Sequence, residues 1–201
     1  MNRFILTVLV SAASVLCLAQ GTQITLTFAS QNKNQAFDTA TDEYRRIWAA
    51  EGGRIIEAME RISTLRFPEK RVHVGIYEGT SFAGLRMNKD GIPVGTNGPV
   101  RMRASYPGDV KKGTLIHELG HRMNVQLRKR PKDIDDHRLL FLYLYDLYED
   151  LYGKEYADAQ VAFGRTLKGL YDYDAAWNWV LAMSRQERLS KFTDVVKANR
   201  K

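Results

Sequence analysis

Between Pro107 and Pro131 the chain carries no proline, and an unbroken helical pattern from Thr114 to Leu127 contains the run His117-Glu118-Leu119-Gly120-His121. In a helix, residues four apart lie one turn above each other on the same face, so both imidazoles of this run can point at a single cation. Glu118 leaves the helix about 100° from His117, near enough to reach a water beside that cation without ligating it. Gly120 adds a second constraint. Glycine costs about 1 kcal/mol against alanine in a helix interior, so its place beside the histidines predicts that another element packs close there.

Over Thr114 to Leu127, and more loosely to about Gly153, the sequence resembles the zincin metallopeptidases. The resemblance implies one zinc per chain, His117 and His121 as ligands, Glu118 as general base, and a peptide or protein substrate. Zincins are sorted by their third ligand. The metzincin extension needs glycine at position 124 and histidine at 127, and this chain has Asn124 and Leu127. In gluzincins the third ligand is a glutamate on a following helix, and in aspzincins an aspartate.

That following helix is legible. Asp133-Ile134-Asp135-Asp136 supplies capping residues and first-turn acids, and Gly153 supplies the stop. Between them, Leu139 to Tyr148 is apolar or aromatic all round, which predicts burial on most sides. Asp146 interrupts it. A buried carboxylate must be protonated, ion-paired or bound to a cation, and beside the motif the expected answer is zinc, with Asp146 as third ligand. Asp150, one turn on, is expected to accept a hydrogen bond from a ligand imidazole. An aspzincin-like offset before Tyr152-Gly153 keeps Glu149 and Asp150 as alternative ligands. His137 lies about 180° around the helix from Asp146, so it reads as a surface histidine near the helix start. His73 alternates with Val72, Val74 and Ile76 and points away from the core, with no role assigned.

The N-terminus, with Arg3 followed by an apolar stretch from Phe4 to Leu18, resembles a secretory signal peptide over residues 1–19. It is too short to span a bilayer comfortably and no later segment qualifies, so no integral membrane segment is expected after cleavage. The only cysteine, Cys17, would leave with it, and residues 20–201 would form one domain held by its core and secreted or periplasmic. The net charge of +7 invites a nucleic-acid reading. However, Arg128-Lys129-Arg130 cluster where cations complement a helix C-terminus, and no nucleic-acid motif accompanies them, so no nucleic-acid partner is expected.

The remaining pattern predicts an α+β, mostly helical, zincin-like fold with a small N-terminal sheet on the motif helix. Strands are expected at Gln23 to Phe28, Val72 to Tyr77 and Pro99 to Tyr106, and a hairpin turn at Asn88-Lys89-Asp90-Gly91. Helices are expected at Asp38 to Leu65, with Gly52-Gly53 a potential kink, and at Lys154 to Lys168, Asp174 to Met183 and Arg185 to Ala198. An extended substrate would pair with the edge of Pro99 to Tyr106. Tyr152, Tyr156, Tyr171 and Tyr173 are candidate oxyanion donors. The rival readings are a catalytically silent zincin-like metal-binding or interaction module of the cell envelope and a basic structural protein.

Overall fold

The structure, a computed structural model, describes residues 22–169 and 171–200; the expected leader and Cys17 lie outside them. In chain order the elements are β1 (Thr25–Ser30), α1 (Gln35–Ser63), β2 (Arg71–Tyr77), β3 (Leu85–Met87), β4 (Pro93–Thr96), β5 (Val100–Arg103), α2 (Gly108–Asn124), α3 (Asp136–Tyr152), α4 (Lys154–Thr166), α5 (Tyr173–Leu181) and α6 (Arg185–Asn199). The protein is α+β and mostly helical, as the sequence pattern predicts.

A three-stranded parallel sheet runs in the order β1-β2-β5, with Leu26 opposite Val72 and Val74 opposite Val100. Strand alternation puts Leu26, Phe28, Val72, Val74, Ile76, Val100 and Met102 on one face, where α1 and α2 cover it. The other face carries Thr27 and His73, whose Oγ1 and Nδ1 meet at 2.7 Å in the open. Parallel sheets are ordinarily covered on both faces. This one alternates like an antiparallel sheet because only one face is used, which is also why His73 points away from the core.

β3 and β4 form a separate antiparallel hairpin. Its turn is the expected one: Asn88 Oδ1 accepts from the amides of Asp90 and Ile92, both at 2.9 Å, and Gly91 takes φ +71°. The potential break at Gly52-Gly53 does not occur. α1 is continuous from its Asn34 cap to Ser63, with the Trp48 indole lying over Gly52 where a Cβ would stand.

α3 is the hub of the molecule. It packs against α1, α2, α4, α5 and α6, so every side is covered and Leu139 to Leu144 are fully buried. Each such side chain contributes about 1.5–3 kcal/mol over its exposed state. The Asp135 side chain caps its start by accepting from the Arg138 amide, and Gly153 stops it at φ +85°. α2 crosses α3 at Gly120, where a Cβ would stand 2.4 Å from Leu140 Cδ1. The close approach expected from this glycine is therefore present, and α3 is the element that makes it.

Candidate functional site

The first turn of α3 lies against the middle of α2, and this crossing assembles a cluster of histidines. His117 Nε2 and His121 Nε2 are 3.0 Å apart, and the ligand atoms of His117, His121 and His137 all lie within 4.8 Å of one another. Zn–N distances of about 2.0–2.1 Å in a tetrahedral set place neighbouring nitrogens about 3.3 Å apart, so the His117–His121 pair is near the spacing of a shared ion, and the wider separations in the cluster would have to close on binding. Glu118 lines the same cleft, a space of about 290 Å³ bounded also by Ser81 to Leu85, Met87, Asp136 and Tyr173.

The donor set fits a borderline metal such as zinc. Burial holds the His117 imidazole well below its ordinary pKa, assisted by the neighbouring histidines, and lowers His137 to about 3, so both rings keep a lone pair. Asp136 Oδ2 lies 2.6 Å from His121 Nδ1 and favours a proton there; burial lowers the His121 pKa, but Asp136 outweighs it and holds it above the ordinary value, so a cation at Nε2 has to displace a proton. Burial opposes ionisation of Asp136, but His121 and Arg130 outweigh it and hold its pKa near 2. Burial also raises the Glu118 carboxyl to about 7, the range in which a carboxylate can both accept and return a proton.

No protein-family model, curated protein or solved structure matches the chain. What the cleft can do chemically therefore has to follow from its own residues.

Three sequence expectations need correction. Asp146 does not join the histidines: it is fully buried, and Arg188 of α6 grips both carboxylate oxygens, Nη2 on Oδ1 at 2.5 Å and Nε on Oδ2 at 3.2 Å. Asp150 does not orient an imidazole, because Arg185 holds it bidentately at 2.9 and 2.8 Å. Glu149 lies on the same last turn of α3, outside the cluster. His137 and Asp136 occupy the places expected of Asp146 and Asp150. The opposition of His137 and Asp146 around the helix is real. It is His137 that faces α2, and Asp146 that faces α6.

The expected substrate edge also shifts. β5 pairs with β2 on one side, and on the other Arg101 exchanges backbone hydrogen bonds with Phe82 at 3.0 and 2.9 Å, while the Arg103 amide donates to Ser81 Oγ. The outermost extended segment beside the histidines is thus Ser81 to Ala83. Arg122, the residue after His121, ties this wall to α2: its Nε donates to Ala83 O at 3.0 Å, Nη2 to Gly98 O, and Nη1 to Glu69 at 2.8 Å.

Of the four expected tyrosines, only Tyr173 lines the cleft with Glu118; its ring centroid is 4.8 Å from that of His137 and 6.5 Å from that of His117. Tyr171 stacks on His137 at 4.1 Å and donates to Asp135. Tyr152 and Tyr156 sit under Lys112, on the far side of α2. The missed residues had a signal, an Asp-His pair opening the helix that returns along the motif.

Proposed function

We propose that the protein is a zinc-dependent peptidase in which His117, His121 and His137 hold the ion and Glu118 is the general base. The observation that carries this reading is the convergence of three imidazoles, from two helices, on one point in a cleft that also contains Glu118. Zinc bound there would supply a Lewis acid and bring the pKa of water near 7.

The chain's own residues do the rest. The Glu118 carboxylate takes a proton from the attacking water and delivers it to the leaving amine, a two-way transfer that its raised pKa favours. Asp136 keeps His121 in one tautomer. Ser81 to Ala83 offers an extended backbone along which a peptide can align, with Phe82 and Met87 as exposed apolar contacts at the rim. Tyr173 is positioned to donate to a developing oxyanion. No helix among the described residues is long and apolar enough to cross a membrane. With the leader-like N-terminus, the proposal extends to an exported enzyme acting on peptides or proteins.

The test is metal content and hydrolysis together. Tag-free protein should carry about one zinc per chain and cleave an unbiased peptide mixture, with activity abolished by chelator and restored by zinc. Zinc without hydrolysis would favour the silent metal-binding module, and folded protein that takes up no zinc would reject both.

A further inference from the structure

His137 stands in the first turn of α3, where a helix is least held by its own hydrogen bonds. A ligand in that place needs both its ring and its backbone fixed from outside. The ring of His121 is fixed by Asp136, 2.6 Å from Nδ1. His137 has no such partner: among the described residues neither of its ring nitrogens makes a hydrogen bond, and the imidazole is held by the rings around it. Tyr173 and His121 meet it edge-on, with centroids 4.8 and 4.7 Å away and planes at 77° and 85°. Tyr171 instead lies face to face with it, at 4.1 Å and 26°, so turning the imidazole out of its plane breaks this stack first.

The same tyrosine also holds the backbone. Its hydroxyl donates to the Asp135 carboxylate, 2.8 Å from Oδ1 and 3.0 Å from Oδ2, and Asp135 is the cap of α3, accepting from the Arg138 amide at 2.8 Å. Asp135 lies two residues before His137. One side chain from the connection between α4 and α5 therefore constrains the imidazole and the helical turn that carries it. Tyr171 is only half-buried and borders an open groove lined by Arg165, Leu167, Lys168 and Asp172, and its aromatic contacts are His137 and Tyr173 rather than the hydrophobic centre of the molecule.

We propose that Tyr171 is a positioning residue for the third metal ligand: it sets the ring of His137 by stacking and the turn beneath it through Asp135, in place of the hydrogen-bonded acceptor that ordinarily orients a ligating imidazole. The proposal rests on the reading of the histidine cluster as a metal site, and not on hydrolysis. The wider separations in the cluster have to close when an ion binds, so the imidazole has to travel while keeping its plane. Stacked rings allow sliding in the plane and resist rotation out of it.

The test is zinc affinity, measured by chelator competition on tag-free protein. Tyr171→Leu keeps an apolar side chain but no ring, and should weaken zinc binding by about 10- to 100-fold, the range for loss of an orienting partner. Tyr171→Phe keeps the stack and loses only the bond to Asp135, so it should lose less. A cycle with His137→Ala separates positioning from a general loosening of the fold: once His137 is gone, Tyr171→Leu should have no further effect on the affinity of the remaining two-histidine site. Unchanged affinity in Tyr171→Leu, an equal loss with and without His137, or a loss in Tyr171→Phe as large as in Tyr171→Leu overturns the proposal. Folded wild-type protein that takes up no zinc overturns it together with the peptidase reading. The expected pattern of affinities in a protein that hydrolyses no peptide overturns the peptidase reading alone.

Discussion

Asp146 on α3 and Arg188 on α6 form a buried ion pair in which the carboxylate has 0% and the guanidinium 7% of its surface exposed. Arg188 also donates to Met183 O through Nη1, so the pair locks the α5–α6 connection onto the central helix. Breaking a buried pair by removing one partner leaves the other charge uncompensated, at about 3–5 kcal/mol. Asp146→Asn should therefore lower the unfolding free energy by about that amount while leaving zinc affinity unchanged in the folded protein. Chelator competition beside chemical denaturation checks both halves, and a sharp loss of zinc affinity would return Asp146 to the ligand set.

His137→Ala should produce the opposite pattern. The side chain is half-buried at the cleft wall and its removal opens no deep cavity, so stability should change little while zinc affinity falls sharply. Asp136→Asn should weaken zinc binding by about 10- to 100-fold, because its amide can no longer hold the His121 ring N–H as a charged acceptor. If Asp136→Asn were silent and Asp150→Asn harmful, the orienting role would belong to Asp150.

Glu118→Gln keeps the shape of the side chain and removes its ability to take a proton. Hydrolysis should fall by about 10²- to 10⁴-fold with zinc content unchanged. Loss of zinc in this variant would make Glu118 a ligand and refute the mechanism.

Glu60 offers a pH test away from the cleft. Burial pushes its pKa up, but hydrogen bonds from Thr22, the Phe67 amide and Arg66 outweigh that and hold it below the ordinary 4.5. A depressed carboxylate stabilises the fold above its unfolded pKa, and that contribution is lost as pH falls from 4.5 through the lower folded value. Wild type should thus be more stable than Glu60→Gln at pH 7, with the gap closing in acid. A gap of constant size from pH 7 to pH 2 would show that the charge contributes nothing.

What could be read along the chain was whatever depends on near neighbours. The His117/Glu118/His121 face needs only helical periodicity, Asp135 and Gly153 mark the ends of α3 by local capping chemistry, and Asn88 to Gly91 turn without outside help. Gly120 even announced a close crossing before its partner was known. Tertiary structure alone decided which side of α3 faces α2. A helix buried on every side carries no amphipathic stripe to orient it, so Asp146 and His137, on opposite sides, were equally eligible for the metal face. The choice came from Arg188, some forty residues downstream, whose guanidinium satisfies the Asp146 charge and thereby turns His137 toward His117 and His121. Long-range pairing of charges leaves no periodic trace in sequence, and for that reason the carboxylate was legible as buried but its partner was not.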